Sequence, residues 1–183
     1  MRPSTQQAFT TPPPAQIPCY STQIARIEGY AAIFNFPDQS GDTLSANVFD
    51  DFFSGIVIPA RSDRVSMLYQ HKVDCPIGCW KSFKADKKGL FVSGYLLLDV
   101  PKAREVHVLA RSGALNGLSI GFRAQTATKR LDGGRHVTQA QLWEVSVVTF
   151  PMANDARISH VGEPEPALSM TSLSNPERAG LRT

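Results

Sequence analysis

The pattern of apolar and polar positions divides the chain into a strand-rich middle and two ends that show no periodicity. Residues 24–34 are rich in strand formers and stop at the breaker-rich Pro37-Asp38-Gln39-Ser40-Gly41-Asp42, which predicts a strand and then a loop. Val48, Phe49, Phe52 and Phe53 recur at helical spacing behind Ser45 as a cap, with Gly55 as the stop. A short amphipathic helix is therefore expected over residues 45–54. Residues 65–71 read as a half-buried strand that delivers His71 to its end. Residues 77–85 and 90–98 predict a hairpin around Asp86-Lys87-Lys88-Gly89, with Gly89 at a positive-φ corner. Residues 101–112 carry Ala103, Val106, Leu109 and Ala110 on one face, with Asp99 as cap and Gly113 beyond the end, and form the strongest helical segment. Residues 117–131 and 135–150 predict two long strands joined through Asp132-Gly133-Gly134. Together these elements predict an α+β domain over residues 23–161, a mostly antiparallel sheet or barrel with a few helices. Residues 1–22, with Pro12-Pro13-Pro14 and Pro18, are expected to be a flexible lead-in, and residues 162–183 a flexible tail.

Composition narrows this picture a little. Of 183 residues 42% are apolar and 19% charged, enough for one core and unlike a disordered chain. The net charge of +3 is spread without a basic run, so no nucleic-acid footprint is indicated. No segment approaches the roughly 18 continuous apolar residues of a membrane span, and none follows Met1-Arg2-Pro3. A soluble, unsecreted protein is expected. Three cysteines, Cys19, Cys75 and Cys79, argue against a disulfide framework and for a reducing interior. Cys75 and Cys79 lack the second ligand pair of a structural zinc site, so no metal and no cofactor is expected.

Chemistry is suggested at three positions. In Gly117-Leu118-Ser119-Ile120-Gly121-Phe122, strand alternation puts Ser119, Gly121 and Arg123 on one face, and the Ser119 hydroxyl is expected to be exposed between glycines that admit a substrate backbone. The letters match G-x-S-x-G, but a helix precedes and a strand follows, the reverse of a nucleophile elbow. A serine on the polar face of a strand is the plain alternative. His71, at a strand end, is better placed to take a proton than His107, His136 or His160, although taken alone its position favours a hydrogen-bonded structural histidine. Glu144 interrupts the apolar run Leu142–Val148. A two-residue loop at Gly133-Gly134 would set Arg123 opposite Glu144 and Ser119 opposite Val148. That register leaves Ser119 and Glu144 about 13 Å apart, and a cross-strand Arg123–Glu144 salt bridge competes with a catalytic carboxylate.

The ordered set Gly29-Tyr30-Ala31, the Gly41-Asp42 loop, Tyr69-Gln70-His71, Pro76-Ile77-Gly78, Gly117–Phe122 and Trp143–Pro151 resembles the tailed-phage prohead proteases over about residues 24–161. The resemblance implies a herpesvirus assemblin-like fold, a small β-barrel flanked by helices. It also implies a serine endopeptidase in which Ser119 is nucleophile, His71 general base and Glu144 the acidic third member. Lys72, where an aspartate often follows the histidine, and the cysteines flanking Pro76-Ile77-Gly78 depart from the common pattern. Arg123 and backbone amides near Ser119 are candidates for oxyanion or substrate contact. The resemblance further implies cleavage of the major capsid protein, its scaffold region and the protease itself inside the procapsid, in the host cytoplasm of a phage, prophage or gene transfer agent, with self-association. Two rivals stand beside it: a non-enzymatic procapsid assembly or scaffolding factor, and a cysteine hydrolase pairing Cys75 or Cys79 with His71.

Overall fold

The strand-forming runs become one sheet in the computed structural model, which describes residues 21–53, 65–131 and 133–167. Its strands are β1 (Gln23–Ile33), β2 (Thr43–Leu44), β3 (Ser66–Tyr69), β4 (Lys72–Ala85), β5 (Gly89–Leu97), β6 (Gly117–Lys129), β7 (Arg135–Val148), β8 (Ile158–Val161) and β9 (Glu165–Pro166). Two helices, α1 (Asp50–Phe53) and α2 (Pro101–Arg111), accompany them. Across the sheet the order is β6-β7-β3-β4-β5-β1-β8, with β2 also on β7 and β9 also on β1. The pairs are antiparallel except that β2 and β3 each run parallel to β7.

The expected barrel is not closed by a continuous ladder. The ends of the sheet meet at one isolated bridge, Gly117 with Arg157, flanked by Leu118 N–H to Ala156 O (3.0 Å) and Ile158 N–H to Asn116 O (2.8 Å). β8 is only four residues long, and its ladder with β1 ends at Gly29, one residue before Tyr30 N–H reaches Arg157 O (3.1 Å). Beyond the bridge, a cleft separates Ser119, Ile120 and Phe122 of β6 from Ala31–Ile33 of β1. Leu118 turns its N–H outward, so strand alternation points the peptide groups of Ile120 and Phe122 the same way, into that cleft.

Inside the sheet Trp80, Phe34, Phe49, Ile27, Met67, Leu118 and Leu142 are fully buried and form one core. Trp80 matters most for the site. Its indole N–H donates to Val145 O (3.2 Å) and so ties the middle of β7 to β4 from the core side. Losing a side chain of this size and burial costs roughly 3–5 kcal/mol.

Several local expectations need correction. α1 begins at Asp50, with Val48 and Phe49 buried in the turns before it, and the Ser45 hydroxyl has no hydrogen-bond partner among the described residues, so it caps nothing; Ser54 and Gly55 lie outside them. α2 has Val100 at its N-cap without a side-chain bond. Asp99 instead accepts Thr22 N–H (2.6 Å) and Oγ1–H (2.8 Å), pinning the start of β1. Gly89 is not at positive φ; it is needed because a Cβ there would lie 2.0 Å from Ala32 O. The first residues of the expected tail are ordered into the sheet, where β9 pairs with Gln23 and Ile24. The remainder of the tail, and lead-in residues 1–20, lie outside the described residues. Cys75 carries a free thiol.

Candidate active site

β7 is the spine of the site, with β6 on one edge and β3 on the other. Ser119 of β6 faces Ser146 across one ladder, and Leu68 of β3 faces the same Ser146 across the other. Because directly opposed residues share a face, Ser119, Ser146 and, two positions along β7, Glu144 all project from the same side. The observed register differs from the two-residue hairpin expected. Arg130 N–H reaches Gly134 O (3.2 Å) around a wider turn with Gly133 and Gly134 both at positive φ, and bulges follow along the ladder. Ser119 therefore slides from Val148 to Ser146, and Gly121, not Arg123, sits opposite Glu144. The Ser119–Glu144 separation contracts to a cross-strand diagonal of about 7–8 Å.

His71 arrives from β3 through a left-handed turn. Gln70 (φ 53°) and His71 (φ 57°) are consecutive non-glycine residues in a region that costs roughly 1–2 kcal/mol per residue. Three bonds hold them there: Gln70 N–H to Val147 O (3.0 Å), Gln70 Nε2 to Thr149 Oγ1 (2.7 Å) and His71 N–H to Ser146 Oγ (3.1 Å). Curled back in this way, the imidazole donates from Nδ1 to Glu144 Oε1 (2.7 Å). The other carboxylate oxygen, Oε2, accepts the Ser146 hydroxyl (2.6 Å). The hydrogen bond to Glu144 holds the His71 pKa above its ordinary 6.5; desolvation pulls the other way, and the carboxylate charge adds to the rise.

The Glu144 side chain lies across β6 at a position where only glycine leaves room. A Cβ on Gly121 would stand 2.3 Å from Glu144 Oε1 and 2.9 Å from its Cγ. Glu144 is thus engaged by His71 and Ser146, and the Arg123 salt bridge is not formed; Arg123 is exposed opposite Gln141.

Ser119 itself is 2% exposed, against the expectation of an open hydroxyl, and its Oγ has no hydrogen-bond partner among the described residues. It lines the cleft together with Ala31, Phe36, Phe122, Met152 and Ala153. Of the remaining histidines, His107 Nε2 bonds with Gly162 O and His136 Nδ1 with Thr43 Oγ1, while His160 stands on β8 opposite Glu28 in the ladder. Among the described residues no cluster of metal-ligating side chains occurs. The sequence reading overlooked Ser146 and Gly121 as parts of the constellation. The signal for Ser146 was a second polar residue two positions after Glu144 in an apolar run, which strand alternation puts on the same face.

The sequence pattern of the caudovirus prohead serine protease family matches residues 16–168. The chain belongs to this family. The prohead protease of Enterobacteria phage HK97 is 33% identical over 135 residues, covering 72% of this chain and 58% of that relative, so this family member spans well under two thirds of the length of the phage protein it matches. Among solved structures the bacteriophage T4 capsid assembly protease superimposes with a TM-score of 0.53 at 12% identity, covering 67% of this chain and 80% of that one. A Kaposi's sarcoma herpesvirus protease, solved with a hexapeptide phosphonate inhibitor, gives 0.51 at 14% identity, covering 76% and 65%. These likenesses are of fold, and they agree with the assemblin-like, mostly β architecture expected of a prohead protease.

Proposed function

We propose that this chain is a serine endopeptidase that cleaves the capsid protein, its scaffold region and itself during prohead maturation, with Ser119 as nucleophile, His71 as general base and Glu144 as the residue that orients the base. One observation carries the reading: a Glu144–His71 couple and an unpartnered, buried Ser119 hydroxyl lie on one face of adjoining strands, beside a cleft. With Nδ1 donated to Glu144, His71 keeps Nε2 as its basic nitrogen, the tautomer that a proton-accepting imidazole needs.

In the reaction, Ser119 Oγ attacks the scissile carbonyl carbon while His71 Nε2 takes its proton. The imidazolium, stabilised by Glu144, then protonates the leaving amine as the C–N bond breaks. Water, deprotonated by His71, attacks the acyl-serine, and the proton returns to Ser119 as the ester opens. Backbone amides near Ser119 are the oxyanion donors of this proposal. Arg123, four residues or about 13 Å along the strand from Ser119, serves in substrate contact. Outward peptide groups at Ile120 and Phe122 suit a substrate segment held in extended form. Family membership supports the capsid context: the major capsid protein as partner and action within the procapsid in the host cytoplasm; self-association belongs to the same proposal.

The experiment is co-expression with the cognate major capsid protein, following its mass. Processing is expected to disappear in Ser119→Ala and His71→Ala and to persist in Cys75→Ala. Normal processing by Ser119→Ala would rule out the serine mechanism, processing indifferent to all three variants and to the presence of the chain would leave a non-enzymatic assembly role, and loss in Cys75→Ala alone would favour a thiol mechanism.

A further inference from the structure

A serine without solvent contact in the middle of a strand normally turns its hydroxyl onto nearby backbone; Ser146, 0% exposed, does something else. Its oxygen accepts the backbone N–H of His71 and its proton goes to Glu144 Oε2. The second oxygen of the same carboxylate holds the His71 ring. A closed loop results, running from the His71 amide through its side chain to Nδ1, across the Glu144 carboxylate and back through the Ser146 hydroxyl. One bond grips the main chain of His71 and another its ring, so both torsions that aim Nε2 are fixed by a single pair of residues on β7.

We infer that Ser146 is a positioning residue for the base, locking the left-handed His71 turn and the Glu144 carboxylate into one rigid unit. The inference rests on the reading of His71 as general base. Ser146 stands directly across the ladder from Ser119, so the unit is built at the height of the nucleophile. Without this hydroxyl the amide of a residue at φ 57° loses its acceptor, and the carboxylate keeps only one of its two tethers. Nothing then prevents Glu144 and the imidazole from drifting together. A drift of about 1 Å at a reacting atom lowers a rate by roughly 10²-fold. Because Ser146 is sealed from solvent, its loss should not alter substrate affinity.

The test is Ser146→Ala, with Ser146→Cys, near-isosteric but a weak hydrogen bonder, as the second variant should the alanine protein fail to fold. Expected are a fall in kcat of about 10- to 100-fold, KM within about twofold, and an acid limb of the kcat/KM profile displaced downward toward that of an unassisted imidazole. Proton NMR of the His71 Nδ1–H gives a readout that needs no turnover: the resonance should broaden through faster exchange in the variant. Unchanged kcat would overturn the inference, and so would a fall in kcat with the acid limb and the Nδ1 proton both unmoved. Were Ser119→Ala to process substrate normally, the serine mechanism would fail, while the Nδ1 proton would still decide whether Ser146 holds the histidine.

Discussion

Gly121→Ala perturbs the site without touching any group proposed to react. The added methyl would be 2.3 Å from Glu144 Oε1, so the carboxylate must retreat by about 1 Å to reach ordinary contact. The 2.7 Å bond to His71 then opens beyond hydrogen-bond range. A displacement of that size at a catalytic group costs roughly 10²-fold in rate, or about 2.7 kcal/mol of transition-state stabilisation. Complete loss of an orienting carboxylate approaches 10⁴-fold, which sets the upper bound. Stability should fall by no more than the loss of the carboxylate's two tethers: Glu144 Cγ, 2.9 Å from the added methyl, must shift with the carboxylate, while alanine itself suits a strand better than glycine. The assay is kcat/KM on a capsid-derived peptide, paired with thermal unfolding. A roughly 100-fold loss of activity with the melting temperature held within a few degrees is expected. Activity within twofold of the parent would refute the idea that Glu144 must lie across β6 to serve His71.

Glu144→Gln should lower kcat by roughly 10²- to 10⁴-fold and shift the acid limb of the pH profile down, whereas Arg123→Ala should leave both nearly intact; equal losses in the two variants, measured by steady-state kinetics, would contradict the assignment. In the parent, kcat/KM should rise with pH through a pKa above 6.5, because His71 works as a base only when neutral and Glu144 favours its charged form. The same raised pKa gives a stability contribution that is complete below the ordinary imidazole value and lost as pH rises through the folded one, so activity grows where this ion pair fades. Asp42, which accepts Arg135 N–H (2.8 Å), Nε–H (3.1 Å) and Nη2–H (2.5 Å), has its pKa lowered first of all by the Arg135 side chain. Asp42→Asn should cost about 2 kcal/mol in urea unfolding at neutral pH, and the gap should close as pH falls from 3.8 through the lowered value.

Strand-forming runs and the helix at residues 101–112 were legible because their patterns are long and their stops are glycines; Gly113 (φ 76°) does follow the C-cap of α2. The site was legible as residue types but not as geometry. Counting pairs from an assumed two-residue hairpin misplaced Ser119 by two residues, since a wide turn and the bulges along β6 and β7 leave no mark on apolar–polar alternation. That error alone made Arg123 the apparent partner of Glu144. The approach of His71 was hidden for another reason. It depends on a parallel pairing of β3 with β7 and on two residues at positive φ, neither of which carries a glycine or asparagine signal. Burial of Ser119 was missed because a strand face free of large apolar residues looks solvent-facing, whereas here the hydroxyl on that face is sealed from solvent.

The central claim is that His71 activates the Ser119 hydroxyl, and covalent trapping tests it most directly. Diisopropyl fluorophosphate, whose fluoride leaves when an activated serine oxygen attacks phosphorus, would be reacted with parent and His71→Ala protein, and the adduct mapped by peptide mass spectrometry. The account predicts a stoichiometric adduct on Ser119 in the parent and a rate of labelling at least about 100-fold lower without His71. Labelling at another residue, or equal labelling of Ser119 in both proteins, would contradict it.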